Sequence, residues 1–175
     1  MKYCSECGNI IETKIPPEDN RPRAICKGCS KIHYVNPKVV VGSMSTWGNK
    51  ILLCRRAIDP RKGFWTLPAG FMEIGESTSE GAKRETVEES GADVELKELF
   101  AVFDIPSFNQ VHIFYLARMR SDKLKPGVES LEAKLFSEED IPWSELSFNS
   151  VKKALELFYK KTNLNLPRVH TALIN

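Results

Sequence analysis

Residues 84–91 read RETVEESG, and they place Glu85, Glu88 and Glu89 on one short helical segment. At 100° per residue the three carboxylates fall within an arc of about 100°. Like charges three and four positions apart cost a helix roughly 0.2–0.5 kcal/mol per pair. A fold that keeps this helix must set something positive in front of that face. The helix itself is well delimited. Ser77 with Glu80 fits a capping box and Gly91 fits a C-terminal stop, so the pattern predicts a helix from Thr78 to Ser90.

The rest of the chain reads as α+β. VVVGSMS (39–45) and ILLCRR (51–56) predict strands joined through Trp47-Gly48-Asn49-Lys50, a hairpin signal. Further strands are expected near Val94–Phe103, Val111–Met119 and Glu132–Phe136. A last helix is expected around Asn149–Lys161, with Val151, Ala154, Leu155 and Phe158 at helical spacing. Beyond it, TNLNLPRVHTALIN shows no period and is expected simply to lie on the surface. The divisions are 1–35, cysteine-rich and interrupted by Pro16, Pro17 and Pro22; 36–162, the main domain; and 163–175, a C-terminal tail.

In the first division Cys4, Cys7, Cys26 and Cys29 form two C-x2-C pairs separated by eighteen residues. Two such pairs complete a tetrahedral shell around Zn2+, and a site filled by four thiolates leaves no position for water, so the zinc is structural. Gly8 and Gly28 sit in or beside the two turns. A module this small has little core, and metal binding supplies most of its folding free energy. Cys54 lies in an apolar strand as a buried small hydrophobe, and His33 has no evident role beside four sufficient thiolates. A net charge of +2 does not point to nucleic acid. No apolar run approaches a membrane span, and MKYCSECGNI lacks a signal-peptide core. The default location is the cytoplasm.

The full segment GFMEIGESTSEGAKRETVEESGA, residues 70–92, satisfies G-x5-E-x7-R-E-U-x-E-E-x-G-U, where U is usually aliphatic. Gly70, Glu76, Arg84, Glu85, Glu88, Glu89 and Gly91 are all in register, while Thr86 and Ala92 fill the aliphatic slots. This is the Nudix box, and the chain resembles a Nudix hydrolase carrying an N-terminal zinc ribbon. The resemblance implies a mixed sheet sandwiched by helices. On physical grounds Glu85 and Glu89, one turn apart, suit a hard divalent cation: Mg2+ by default, with Mn2+ suited to similar ligands. Glu88 would hold a second ion or orient the attacking water. Arg84 can reach Glu88 and hold the carboxylates in place. Glu76, just before the helix, favours the positive end of the dipole.

By resemblance, the Gly70 carbonyl is a metal ligand and a later carboxylate completes the site. Glu129 and Glu132 are the candidates, and Glu129 is favoured because it lies nearer the Pro126-Gly127 turn. Arg55 and Arg56 resemble phosphate-facing arginines, Arg55 at the better match. His112 reads as structural. With no nucleophilic Ser or Cys partner, the chemistry is direct attack by water on the diphosphate of a nucleoside diphosphate linked to a second moiety.

For substrate, a ribbon followed by this domain resembles the NADH pyrophosphatase branch, yet FDIPSFNQVHIFY (103–115) lacks that branch's S-Q-P-W-P-F-P-x-S motif. Pro106 is close to the proline of ADP-ribose pyrophosphatases. YVNPKVVVG and ESLEAKLFSEEDIPW resemble ribbon-bearing relatives associated with FAD and ADP-ribose. The ordering is ADP-ribose or FAD, then NADH, then diadenosine polyphosphates. Phe108 and Phe64 could stack on adenine. The rival readings are removal of a nucleotide cap from RNA read by the ribbon, and an inactive interaction scaffold. Relatives are often homodimers, so the resemblance implies paired subunits.

Overall fold

The computed structural model describes residues 1–160 and 169–174, as two compact units, 1–36 and 37–175. In the first unit, β1 (Ile11–Lys14), β2 (Arg23–Cys26) and β3 (Ile32–His33) form an antiparallel sheet in that order. Each cysteine pair rides on a similar turn. Gly8 N donates to the Cys4 carbonyl at 3.0 Å, and Ser30 N donates to the Cys26 carbonyl at 3.1 Å. The left-handed position is Gly8 in the first turn and Ser30 in the second, with φ of 71° and 60°. Gly28 serves differently from the turn role expected of it. A Cβ there would lie 2.4 Å from the Asn9 amide, so its lack of side chain lets the two turns close on each other.

The second unit is built on an eight-stranded sheet. Its strands are β4 (Lys38–Trp47), β5 (Lys50–Arg56), β6 (Trp65–Thr66), β7 (Ala69–Phe71), β8 (Val94–Ile105), β9 (Gln110–Met119), β10 (Ser130–Phe136) and β11 (His170–Leu173). The main order is β10-β5-β4-β9-β8-β11, parallel at β4–β9 and β8–β11. The expected hairpin forms, but β4 and β5 pair only at Thr46–Ile51 and Trp47–Lys50. Beyond those pairs the strands splay. β6 then pairs with β5, and β7 pairs with β4, filling the gap. Sequence patterning gave no sign of these two- and three-residue strands.

Alternation along β5 divides the interior. Ile51 and Leu53 join Met44, Phe103, Phe114 and the apolar face of α2 (Asn149–Tyr159). Leu52 instead joins Ala92, Val94, Ala117 and Met119 on the side of α1 (Thr78–Ser90). The sheet is therefore sandwiched between two helices. Among the described residues no helix is long and apolar enough to cross a membrane.

The tail departs from expectation. Residues 161–168, which include the expected end of the last helix and the 162/163 division, lie outside the described residues. His170–Leu173, however, forms a parallel strand on β8, with Ala172 and Ile174 against the larger core. Pairing rather than periodicity defines so short a strand.

The loop before β10 is docked on the C-terminal end of α1. Lys125 N donates to the Ser90 carbonyl at 2.7 Å, and Gly127 N to the Glu89 carbonyl at 3.1 Å. These contacts satisfy two of the carbonyls that a helix leaves open. A Cβ on Gly127 would stand 1.9 Å from the Glu88 carbonyl oxygen. Backbone cannot yield cheaply there, so Gly127→Ala is expected to lose about 1–3 kcal/mol of unfolding free energy in urea titration. An unchanged midpoint would show that the loop can lift off freely.

Candidate active site

α1 begins with a complete capping box: the Ser77 side chain accepts from Glu80 N, and the Glu80 side chain accepts from Ser77 N. It ends at Gly91 in the left-handed conformation. Nearly two helical turns in, Arg84 uses all five N–H groups of its guanidinium. Nε donates to Glu76 Oε2 at 3.0 Å and Nη2 to Glu76 Oε1 at 2.8 Å. Nη2 also donates to the Phe71 carbonyl at 3.1 Å, while Nη1 donates to Glu85 at 2.7 Å and to Glu88 at 3.0 Å. The fork explains Glu76 better than the helix dipole does: hydrogen bonds from Arg84, then from Glu73 N, hold its carboxyl down at about 2.

Two carboxylates stand where Arg84 compensates less. Glu85 is half-buried, and desolvation raises its pKa despite the arginine. Glu89 is 8% exposed, and burial, followed by the charge of Glu85, pushes its carboxyl up to about 8. Its Oε2 is buried without a hydrogen-bond partner. A buried carboxylate oxygen with no donor is costly unless a cation takes that place. Gly70 completes the recess, because a Cβ there would lie 2.4 Å from both Glu85 oxygens. The orphaned oxygen, the all-oxygen donor set and the side-chain-free backbone at Gly70 all fit a hard divalent cation.

The remaining candidate residues divide. The charge of Glu129 bears on both Glu85 and Glu89. Glu132 instead pairs with Arg55 along β10 and β5. Glu88 is on the exposed side of the helix, against Arg84. Arg55 continues the Ile51–Leu53 side of β5 and donates to the Gly63 carbonyl at 2.9 Å. Arg56, in the register of Leu52 and Cys54, is the arginine whose charge lowers Glu89. It also stands 5.2 Å from the Phe148 ring centre. The arginine pair was legible in sequence; which member faces α1 needed the strand's alternation anchored on Cys54. Phe108 is 72% exposed in the turn between β8 and β9, and Phe64 lies beneath the Arg61 guanidinium. His112 is buried, bonded to Gln110 and pushed down to about 4 by desolvation.

In the first unit the four cysteine sulfurs lie within 4.8 Å of one another, with Cys4–Cys29 at 3.7 Å and Cys7–Cys26 at 3.4 Å. Thiolates about 2.3 Å from a tetrahedral zinc stand roughly 3.8 Å apart, so the cluster fits that ion. Backbone N–H groups of Glu6, Gly28 and Cys29 point at Cys4 and Cys26. His33 has a larger part than its sequence context suggested. It is buried with Nε2 3.3 Å from Cys4 Sγ, a support for the thiolate rather than a replacement.

A family model described as the NUDIX domain matches residues 36–158, and one described as Nudix N-terminal matches residues 2–35. This chain is a Nudix hydrolase. As such it acts on pyrophosphate bonds. A NUDIX hydrolase from Nitrosomonas europaea superposes with TM-score 0.95 and 46% identity over 100% of this chain and 99% of that one. An ADP-ribose pyrophosphatase of Methanocaldococcus jannaschii is 33% identical across 68% of this chain and 72% of its own length. The NAD-capped RNA hydrolase NudC of Vibrio atlanticus is 29% identical across 81% of this chain but only 51% of its own. The chain thus spans about half the length of that relative.

The raised Glu89 carboxyl gives this Nudix hydrolase a pH signature. With the folded-state value near 8 and an ordinary value of 4.5, the folded protein holds the proton more tightly than the unfolded chain. Stability from this group is full below about pH 4.5 and is lost as pH rises through about 8. In buffer free of Mg2+ and Mn2+ but without chelator, to retain zinc, Glu89→Gln should lack that decline. By urea unfolding at pH 9 it should exceed the parent by up to about 4–5 kcal/mol. Equal slopes for the two proteins would mean that Glu89 ionises as freely folded as unfolded.

Proposed function

We propose that this Nudix hydrolase cleaves the diphosphate linkage of an adenine nucleotide joined to a second moiety, with ADP-ribose or FAD as substrate. The observation that carries the metal-dependent reading is the buried Glu89 oxygen without a partner, beside Glu85 and Gly70. Substrate class follows the relative named an ADP-ribose pyrophosphatase and, for FAD, the motif resemblance. Glu85, Glu89, Glu129 and the Gly70 carbonyl would hold Mg2+ or Mn2+, with Glu88 at the rim. Such an ion, when bound, would lower the pKa of a water and neutralise charge on the diphosphate.

The chain's own residues do the rest. Arg84 holds Glu85 and Glu88 at fixed separation, and Glu88 orients the water. The water oxygen bonds to phosphorus as the P–O–P bridge breaks, giving AMP and a phosphorylated partner product. Cys4, Cys7, Cys26 and Cys29 would hold a structural Zn2+, and the working unit is a homodimer.

A second reading, hydrolysis of NADH or of an NAD cap on RNA, draws support from relatives named NAD-capped RNA hydrolases. Hydrolysis of ADP-ribose, FAD, NADH, diadenosine tetraphosphate and NAD-capped RNA, each with Mg2+ or Mn2+, distinguishes them. ADP-ribose or FAD should lead. Glu89→Gln should lose more than the roughly 10–100-fold typical of removing a group that merely supports a metal ligand. A lead for NADH or capped RNA would replace this substrate assignment.

The zinc assignment has its own check. The purified protein should carry one zinc per chain, and stripping it should open residues 1–36 to limited proteolysis. Protection unchanged after zinc removal would mean that this unit folds without metal.

A further inference from the structure

The residues that α1 buries are Gly81, Ala82, Thr86, Glu89 and Ser90, with no large apolar side chain among them. Helices are usually located on a sheet by an apolar stripe. Here small residues allow close approach: a Cβ on Gly81 would meet Val41 Cγ2 at 2.8 Å. Hydroxyls then fix the position. Ser43 and Ser45 on β4 and Thr86 on α1 are all fully buried. Ser43 Oγ is 2.7 Å from Ser45 Oγ and 2.6 Å from Thr86 Oγ1.

Proton supply sets the direction. Thr86 donates its one hydroxyl proton to the Ala82 carbonyl at 2.7 Å, so toward Ser43 it accepts. Ser43 therefore donates to Thr86 and accepts from Ser45. Every bond in the chain has one donor and one acceptor.

Two members of this chain, Thr86 and Ser43, adjoin the candidate metal ligands. Thr86 follows Glu85 and precedes Glu89 by three residues. Ser43 adjoins the segment of β4 that pairs with β7, Val41 opposite Gly70 and Gly42 opposite Ala69, and Ser43 N donates to the Pro68 carbonyl at 3.1 Å. We propose that the buried Ser45–Ser43–Thr86 hydroxyl chain sets the placement of Glu85 and Glu89 against the Gly70 backbone. These three are positioning residues, and their role rests on the metal-dependent reading above. Directional bonds suit that task, since ligating groups need placement within about 0.5 Å and 10–20°. The small side chains of this helix face would otherwise permit sliding.

The test compares the parent with Thr86→Val, Thr86→Ser and the Ser43→Ala/Thr86→Val double variant. It measures Mn2+ binding from the free-ion magnetic resonance signal, kcat and KM with Mg2+, and the thermal midpoint. Thr86→Val should weaken Mn2+ binding about 10-fold and lower kcat by roughly 10–100-fold, with KM within about twofold. Thr86→Ser, which keeps the hydroxyl, should stay near the parent. The double variant still strands the buried Ser45 hydroxyl, whose acceptor was Ser43, so its thermal midpoint should stay below the parent's while Mn2+ binding and kcat stay low.

The proposal is overturned if the double variant binds Mn2+ and turns over like the parent. It is equally overturned if Thr86→Ser loses as much as Thr86→Val, which would assign the effect to the methyl group. A parent that binds Mn2+ but cleaves none of the dinucleotides would sink the substrate reading instead, and the Mn2+ affinities alone would then decide the positioning role.

Discussion

The guanidinium of Arg84 is the junction on which the catalytic half of this Nudix hydrolase depends. Its five donors reach the loop before α1 through Glu76, the end of β7 through the Phe71 carbonyl, and the helix itself through Glu85 and Glu88. A lysine in its place has a single ammonium centre and could not hold those positions in one plane. The glutamate repulsion that makes the sequence RETVEESG look unfavourable is therefore answered from inside the helix for two of the three carboxylates.

The third carboxylate has no such answer. Glu89 lies on the sheet-facing side with Ser90 and Thr86, and its attractive neighbours are Arg56 and the backbone of Ala69. Charge is thus divided along the helix. One edge is neutralised by protein, and the other is left unbalanced beside a glycine that clears the way. A protein built only for stability would replace Glu89 with an apolar residue. Its retention makes sense when the missing positive charge arrives with the substrate and its metal.

Much of this was legible in the chain because its signals are local. The capping box, the left-handed stop at Gly91, the reach of Arg84 to Glu88 and the alternation of β5 all depend on residues within a few positions of each other. The features that escaped depend on partners far away in sequence. β6 and β7 are too short to carry a period and exist only because β4 and β5 diverge. The choice of Arg56 over Arg55 to face α1 turns on which side Cys54 occupies. His33 touches Cys4 across the whole ribbon. Thr86 reads as a mild lapse in an aliphatic slot until Ser43 and Ser45 appear opposite it.

The strand at His170–Leu173 carries a meaning beyond its four residues. Ala101–Asp104 of β8 would otherwise be the rim of a long sheet, a row of open N–H and C=O groups that includes Phe103 and follows Phe100. Such a rim is a template on which foreign chains can zip. β11 covers it with a parallel neighbour and seats Ala172 and Ile174 on the core beneath. Removing His170–Leu173 would open that row again, so β11 acts as a guard against edge-to-edge pairing with other chains.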